Sequence, residues 1–417
     1  MEKSGKFRLT SLERNWILYD VGNSAFVLMV ATLIPIFFNA LAAAGGLSSV
    51  EYLAYWGYAS SAVTIITAVL SPILGTVADT KGFKKPIFIL CVFVGIVGCC
   101  AMGAVSAWLP FLVIFVIAKV GFSGSLVFYD SMLSDVTTPE RMDEVSSRGY
   151  AWGYIGSCVP FVVCLGLVLG AGSIGISQMT ALNLALLLTA AWWLLTTLPL
   201  LKSYKQLYYV EVEKHAVRQS FARIGHTMRH LPEDKQVFWF LLAFFCYIDG
   251  VYTIIDMATA YGTALGLDTT GLLLALLVTQ IVAFPSALIF GRLSNKYPSA
   301  KLIPVCIAAY AGIAVFAFFL TRQWQFWVLA VIVGMFQGGV QALSRSHFAK
   351  IIPPEKSGEY FGLFDICGKG ASFLGTMIVS VGSQLTGSAN VGVGSLILLF
   401  IVGFVLFRVS CRQGETA

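Results

Sequence analysis

Long apolar stretches, each about as long as a membrane is thick, alternate with short polar connections along almost the whole chain. A helix that crosses a bilayer needs about 20 apolar residues. On that measure the sequence predicts an all-α membrane protein with twelve spanning helices, spans 1 to 12. They are 16–38, 53–78, 87–107, 109–133, 147–170, 178–200, 236–262, 270–293, 301–320, 324–347, 358–384 and 389–408.

One long connection divides the twelve spans into two sets of six. We expect an N-terminal six-helix bundle over 1–201, a cytoplasmic linker over 202–235 and a C-terminal six-helix bundle over 236–417. The linker mixes basic and aromatic residues. This composition fits either a partly helical segment on the membrane surface or a solvated connection.

Basic residues mark one side of the membrane. All but three of the 27 Lys and Arg residues fall in every second gap between apolar stretches, termini included. Because Lys and Arg collect in the short cytoplasmic loops of multi-span proteins, both termini are predicted to be cytoplasmic. The exceptions are Arg322, in another connection, and Lys119 and Lys369, inside spans. The net charge of +6 suits anionic lipid and requires no nucleic-acid partner.

Composition argues against a soluble domain and against several kinds of chemistry. Hydrophobic residues make up 58% of the chain and charged residues 12%, about half the charged fraction of soluble domains. The nine cysteines are scattered without metal-ligand spacing, and no phosphate-binding loop, zinc motif or Ser/His/Asp set stands out. We therefore expect no cofactor, no metal and no enzyme activity. The first apolar run continues as a full span, so we interpret it as a span rather than a cleaved signal peptide.

The connection between spans 2 and 3 carries the first informative motif, Gly75-Thr-Val-Ala-Asp79-Thr-Lys81-Gly82-Phe-Lys84-Lys85. Gly75 permits close helix contact, and Asp79 can pair with a cation or cap a neighbouring helix N-terminus. A degenerate copy, Gly291-Arg292-Leu-Ser-Asn295-Lys296, lies between spans 8 and 9. The layout resembles the loop signature of the major facilitator superfamily, and two copies fit two related six-helix halves.

Five further motifs carry a closer resemblance. They are Tyr19–Phe26, Phe128–Leu133, Val145–Gly156, Gly338–Ser346 and Tyr360–Gly375. Together they resemble the autophagy-related vacuolar effluxer family and its bacterial relatives, a branch of the major facilitator superfamily. The sequence departs from that family at Val21-Gly22, where Trp-Ala is more common, and at Asp130, where Asn is usual. The resemblance implies two pseudo-symmetric six-helix bundles and an export-type carrier, and the eukaryotic members are associated with amino-acid efflux from the vacuole.

Polar residues inside the spans are the candidate substrate contacts, because charge buried in a membrane usually faces a cavity or a partner. Lys119 and Lys369 lie near the midplane by helical rise and suggest an anionic group on the substrate. Asp365, one turn before Lys369, offers a local ion pair instead. Lys119 has no acid within one turn, so another helix or the substrate must supply its partner. Substrate contacts or helix–helix hydrogen bonds are predicted for Asn23, Trp152, Tyr154, Gln337 and Gln341, with Gln280 beside them.

Carboxylates inside the spans are candidates for proton coupling, because a carboxylate in an apolar cavity can load and release a proton. Asp249 in span 7 is the first candidate, Asp20 in span 1 the second, and Asp365 is included; Asp256 lies two turns beyond Asp249, nearer the outer surface. Asp20 could instead form a latch with Arg148 or Arg345, which lie at comparable depth. Gating or structural roles are predicted for Gly75, Asp79, Lys81, Asp130, Arg148 and Arg345.

These features predict a monomeric secondary transporter in a plasma membrane, such as a bacterial inner membrane, that works by alternating access. The expected substrate is a small polar or zwitterionic solute such as an amino acid, exported in exchange for protons or another coupling ion. A zwitterion would place its carboxylate at Lys119 or Lys369 and its ammonium at Asp249 or Asp20. The alternatives are a carrier or flippase of an anionic amphiphile such as a lysolipid, and a uniporter; a receptor or membrane enzyme fits less well.

Overall fold

The protein is described by a computed structural model covering residues 7–211 and 225–415. Its long helices follow the predicted spans and are labelled α1 to α12. They are Ser11–Ala31, Ser49–Ala78, Lys84–Met102, Trp108–Ser131, Met142–Leu169, Gln178–Ser203, Lys235–Ala264, Thr269–Leu293, Ser299–Phe318, Gln323–Ile351, Ser357–Thr386 and Ile397–Glu415. Short helical segments Leu33–Ala44, Leu133–Val136 and Ala389–Gly394 lie after α1, after α4 and before α12.

Eleven helices in the described part of the chain are long and apolar enough to cross a membrane, and α11, with 30 residues, has the length to cross as well. The predicted all-α membrane fold is therefore confirmed. Some predicted spans were too short at their Lys- and Arg-rich ends. α5 begins at Met142 instead of 147, and α10 ends at Ile351 instead of 347. The added turns carry buried polar residues such as Asp143, so hydropathy alone does not place them in the helix.

Local sequence accounts for where several helices begin and break. Thr10 and Glu13 form a reciprocal capping box at the start of α1, and Ser48 and Glu51 do the same for α2. α1 ends at Ala31, and the short helix Leu33–Ala44 begins after Thr32. Thr32 lies three residues before Pro35. Because proline has no N–H, the helical hydrogen bond at that point cannot form.

The two halves repeat one packing arrangement. In the first half α1 packs on α5 and α6, α2 on α4, and α3 on α4 and α6. In the second half α7 packs on α11 and α12, α8 on α10, and α9 on α10 and α12. Every pair therefore has a counterpart six helices later, as expected of two related bundles. The halves meet where α2 and α4 pack against α11, and where α5 packs against α8 and α10.

One face of the molecule carries the chain ends and the connections that follow α2, α4, α6, α8 and α10, and we call it the basic face. The first part of the predicted linker lies on this face as an extended segment, Tyr204–Glu211, which we call the strap. Val210 of the strap forms an isolated parallel β-bridge with Thr80 in the connection after α2. Residues 225–230 are helical, while 212–224 lie outside the described residues.

Candidate functional site

A central cavity of about 390 Å³ lies between the two halves. This volume falls within the range of about 300–1,000 Å³ that is usual for small-molecule pockets. Side chains from α1, α4 and α5 meet side chains from α7, α8, α10 and α11 around it. The charged and amide-bearing lining residues are Asp20, Asn23, Asp130, Asp256, Gln280, Gln337, Gln341, Arg345 and Asp365.

About half of the residues predicted from the sequence line this cavity. Tyr154 lines it together with Asn23, Gln337 and Gln341, and its hydroxyl donates to Gln341 Oε1 across the boundary between the halves, at 3.1 Å. Asp365 accepts a 2.7 Å hydrogen bond from Ser71 Oγ of α2, also across that boundary. The cavity therefore gathers polar groups that are far apart in the sequence.

Arg345 forms the floor of the cavity, which is its end nearest the basic face. Its side chain is 2% exposed. Nε donates to Ser146 Oγ at 2.9 Å, Nη2 donates to the Ser146 carbonyl at 3.0 Å, and Nη1 donates to Asp130 Oδ1 at 3.0 Å. Nη1 also lies 3.9 Å from Asp20 Oδ2. Two carboxylates of the first half thus share one guanidinium of the second.

Aromatic rings enclose the Arg345 guanidinium on several sides. The guanidinium carbon lies 4.7 Å from the ring centroid of Trp16 and 4.3 Å from that of Tyr150. Trp16 stacks on Tyr129 and donates a hydrogen bond to the Tyr129 carbonyl. Ring faces attract cations, and a planar guanidinium can stack on them as well as form its hydrogen bonds. This cage holds the arginine side chain in one place.

Arg345, and not Arg148, lies next to Asp20. Arg148 forms an ion pair of 2.5 Å with Glu144, one turn earlier on α5, and stacks on the ring of Phe7. Of the two latch partners that the sequence offered for Asp20, the structure therefore brings only Arg345 within reach.

Two contact regions join the halves between the cavity and the basic face. In the first, Asn295 of the connection after α8 donates to Glu144 Oε2 of α5 at 2.8 Å. Nearby, Asp143 of α5 accepts a hydrogen bond from Ser346 Oγ and lies 2.6 Å from Lys350 Nζ, both on α10. The second region, between α2 and α11, is built around the motif after α2.

Asp79 caps the N-terminus of α11. Its carboxylate accepts hydrogen bonds from the N–H groups of Gly358 and Glu359, at 2.7 and 2.8 Å. Its Oδ1 also lies 3.7 Å from Lys84 Nζ. Cation pairing and helix capping, the two alternatives that the sequence left open, are thus both present. Burial raises the pKa of Asp79 to about 7, and Lys84 and the two backbone donors oppose that rise.

Lys84, rather than Lys81, is the buried cation of this motif. Lys84 Nζ lies 3.5 Å from Asp135 Oδ2 and donates to Ser357 Oγ of the other half at 2.8 Å. Lys81 is 61% exposed and pairs with Glu211 of the strap. From the sequence, the gating role was predicted for Lys81. The residue that would have indicated Lys84 instead is Asp135, which approaches from the turn after α4.

The strap is anchored to the same buried cluster. Asp135 Oδ1 accepts from the N–H groups of Leu207 and Tyr208, and Asp135 Oδ2 accepts from the Tyr204 hydroxyl at 2.6 Å. Val210 N–H donates to the Asp79 carbonyl at 2.8 Å. The linker between the halves therefore starts from the residues that close the α2–α11 contact.

Replacing Tyr204 with Phe should lower the free energy of unfolding by about 1.5–3 kcal/mol, because it removes a buried hydrogen bond to a charged carboxylate. Hydrogen exchange read by mass spectrometry should show faster exchange at Leu207 and Tyr208, whose amides bind the same carboxylate. Tyr208→Phe is the matched control, since the Tyr208 side chain is exposed on the same strap. Equal exchange rates in the two variants would contradict the anchoring role.

Lys119 reaches across to the other half. Its Nζ lies 4.7 Å above the ring centroid of Phe122. It also interacts electrostatically with Asp256 of α7, which lines the cavity. The cross-helix partner that the sequence required for Lys119 is thus available in Asp256. The side chain of Lys369 lies outside the described residues, so its predicted substrate contact and ion pair stay predictions.

Asp249 does not belong to the described lining of the cavity, and its predicted contact with a substrate ammonium stays a prediction. It is buried between α7 and α11, where Oδ1 accepts from Gly375 N–H at 2.9 Å and from Thr253 Oγ1 at 3.3 Å. Gly375 has no side chain, so α11 approaches closely and covers this carboxylate. Asp256, two turns further along α7, lies on the cavity instead.

Trp152 also lies away from the cavity lining. Its side chain is 45% exposed, and its ring packs edge-on against Phe284 of α8, with centroids 5.4 Å apart. The predicted contact of Trp152 with a substrate stays a prediction. Two residues further on, Tyr154 points to the opposite side of α5 and lines the cavity.

Hydrogen bonds and ion pairs between the halves, within the described residues, lie at the cavity or between it and the basic face. Twelve helices in two related bundles, around a central polar cavity closed on one side, define a membrane transporter of the major facilitator type. The chain belongs to the vacuole effluxer Atg22-like family, whose model matches residues 11–416.

The relatives agree with this assignment. The chain is 43% identical over 414 residues to the uncharacterized MFS-type transporter YxiO of Bacillus subtilis, and the match covers 98% of this chain and 97% of that protein. It is 25% identical over 315 residues to autophagy-related protein 22 of Coccidioides immitis, a match that covers 65% of this chain and 51% of the relative. The predicted family and the class of transporter are confirmed.

Solved structures show the same fold at low identity. The human organic anion transporter MFSD10 superposes with a TM-score of 0.72 at 14% identity, covering 95% of this chain and 99% of that one. The transporter FucP, in an outward conformation, gives 0.71 at 16% identity, covering 96% and 97%. These similarities establish the major facilitator fold.

Proposed function

We propose that this transporter exports a small polar or zwitterionic solute, such as an amino acid, by alternating access coupled to protons. The observation that carries the proposal is the floor of the cavity, where Asp20 and Asp130 share the single guanidinium of Arg345. With both carboxylates ionised, this group of three carries one net negative charge. A proton or a cationic group of the substrate can neutralise it.

Competition between the proton and the substrate for that negative charge would couple proton transport to substrate transport. When the cavity opens outward, a proton can displace the cationic group of a substrate from the carboxylates. When it opens to the cytoplasm, the proton leaves and the next substrate binds. Asp20 is the better candidate for this exchange than Asp249, because Asp20 lines the cavity and Asp249 is covered by α11.

An amino acid or a similar solute suits the size and the lining of the cavity. Amide groups of Asn23, Gln280 and Gln337 offer hydrogen bonds, while aromatic side chains such as Tyr252 and Phe364 suit an apolar part. The description of the matching family as vacuole effluxer-like supports the outward direction. An anionic amphiphile fits this lining less well, because lining carboxylates outnumber the guanidinium of Arg345.

The basic face is proposed to lie in the cytoplasm of a bacterial cell, with both termini on that side and the protein acting as a monomer. Lys and Arg are retained on the cytoplasmic side during membrane insertion. The state described here is then closed toward the cytoplasm, as expected of an exporter that has just presented its cavity to the outside.

Proteoliposomes containing the purified protein should move radiolabelled amino acids faster when a pH gradient is imposed. Asp20→Asn should remove the dependence on the gradient and weaken the exchange of labelled for unlabelled substrate, because the neutral amide neither takes up a proton nor carries the charge that attracts the cationic group of the substrate. Glu140→Gln is the control, since Glu140 is an exposed carboxylate on the basic face.

Each of the other possible outcomes would contradict one part of the proposed function. Transport that ignores the gradient in the unmodified protein would indicate a uniporter. Loss of gradient dependence in Asp249→Asn but not in Asp20→Asn would move the coupling site to Asp249. Transport of lysolipids with no transport of amino acids would overturn the proposed substrate.

A further inference from the structure

We propose that the group this cavity recognises is a protonated amine, held at Asp20 between α1, α5 and α10, and that the substrate needs no carboxylate. The inference rests on the proposed function and names the substrate class of the same cavity: organic amines with an apolar, preferably aromatic, body. Amino acids would then bind through their ammonium group alone.

The first support is a carboxylate oxygen at the cavity, Asp20 Oδ2, that accepts no hydrogen bond from the described residues and lies 3.9 Å from Arg345 Nη1. Asp20 is 7% exposed and lines the cavity. Its Oδ1 accepts one long hydrogen bond of 3.4 Å from Asn23 Nδ2. A buried acceptor without a donor is unfavourable, so this carboxylate is arranged for a donor that arrives from outside the chain.

Two neutral acceptors lie around the same cavity. The side-chain oxygens of Gln337 and Gln280 are buried, line the cavity and likewise accept no hydrogen bond from the described residues. An ammonium group has three N–H donors and no acceptor. A set of acceptors that contains one carboxylate therefore matches an ammonium.

The charge of the lining points the same way. Four carboxylates line the cavity, at Asp20, Asp130, Asp256 and Asp365. Arg345 is the one guanidinium in the described lining, and Nε, Nη1 and Nη2 each already donate to Ser146 or Asp130. A substrate carboxylate would meet an arginine whose donors are in use and whose neighbours are acids.

The aromatic side chains of the lining favour an organic cation over a metal ion. The tyrosines 129, 150, 154 and 252 and the phenylalanines 244 and 364 bring six aromatic side chains to the cavity. Aromatic faces attract organic ammonium groups and bury apolar bodies. Within the described residues, no group of three or more His, Cys, Asp and Glu side chains is placed to hold a metal.

A matched ligand series tests the proposal on the full-length protein in lipid nanodiscs. The ligands are 2-phenylethylamine, phenylalanine and 3-phenylpropanoate, which carry the amine, both groups and the carboxylate, with sodium, potassium and manganese chloride as inorganic cations. Binding is measured by titration calorimetry and by the shift in melting temperature, since a ligand stabilises the state it binds. We expect the amine to bind at least as tightly as the amino acid, and 3-phenylpropanoate not to bind.

Variants then locate the site. Asp20→Asn should weaken 2-phenylethylamine binding by about ten- to a hundredfold, the effect of losing a hydrogen bond to a charged group. Glu140→Gln, on the exposed basic face, should leave it unchanged. The melting temperature without ligand reports whether Asp20→Asn folds, and the ligand series on the unmodified protein decides the question if it does not.

Three results would overturn the inference: 3-phenylpropanoate binding as tightly as the amine, a folded Asp20→Asn protein with unchanged amine affinity, or an inorganic cation that displaces the amine at equal concentration. Other results would contradict only one of the two proposals. Amine binding without transport driven by a pH gradient would contradict the proposed function and support the amine site. Amino-acid transport without amine binding would support the proposed function and contradict the amine site.

Discussion

Replacing Arg345 with Met is expected to abolish transport and to lower the free energy of unfolding by about 3–5 kcal/mol, the usual cost of removing one partner from a buried ion pair. Met fills much of the volume of the arginine, so the loss is electrostatic. Without the guanidinium, Asp130 and Asp20 face each other unpaired, and Ser146 loses the two hydrogen bonds that it accepts from Arg345. Transport in proteoliposomes and thermal unfolding in detergent measure the two effects.

Arg345→Lys is the informative control for this variant. Lysine keeps the charge but lacks the planar, fixed fork of donors of a guanidinium and cannot stack a planar group on Trp16 and Tyr150. We expect Arg345→Lys to recover part of the stability and little of the transport. A lysine variant that transports normally would show that charge alone is required at this position.

Replacing Gly75 with Ala should prevent the basic face from closing. A β-carbon on Gly75 would lie only 2.1 Å from the carbonyl oxygen of Gly358, so α2 and α11 must move apart. Overpacking of this kind costs about 1–3 kcal/mol. Because only the closed state has this contact, the cost falls on that state, and the protein should shift toward a state open on the basic face and lose transport.

Hydrogen exchange at Gly358 and Glu359 reports the shift, since both amides bind Asp79 in the closed state. We expect exchange to become about tenfold faster or more. Gly57→Ala on the same helix is the matched control, because a β-carbon there meets nothing within 4 Å. Full transport with native exchange in Gly75→Ala would show that the α2–α11 contact does not form the gate.

The sequence predicts the fold well, because hydropathy is a property of single segments. Twelve spans and the ability of Asp79 to cap a neighbouring helix follow from such local patterns. The prediction fails where rotation of a helix against its neighbours matters. Trp152 and Tyr154 lie two residues apart on α5, and only the second lines the cavity.

The surroundings of the charged residues Asp249 and Lys84 could not be predicted from the sequence for the same reason, the packing of one helix against another. Asp249 and Asp256 share a face of α7, but Gly375 of α11 covers the first, and nothing in the local sequence of α7 announces that contact. Lys84 is buried instead of Lys81 because Asp135, 51 positions further along the chain, turns toward it. The cage around Arg345 likewise unites rings from α1, α4 and α5 that no short motif connects.

The contacts between the halves have an unequal division of charge that bears on how the protein responds to salt. Asp79, Lys84 and Asp135 all belong to the first half, as do Glu144 and Arg148, so these groups keep their ionic partners when the halves separate. The second half contributes neutral partners there: donors from Gly358, Glu359 and Asn295, and the acceptor Ser357 Oγ. Across the halves, Arg345 pairs with Asp20 and Asp130, Lys350 pairs with Asp143, and Lys119 interacts with Asp256. Ionic strength should therefore act on opening through the partly exposed Lys350–Asp143 pair, while Arg345 in its buried cage is screened very little.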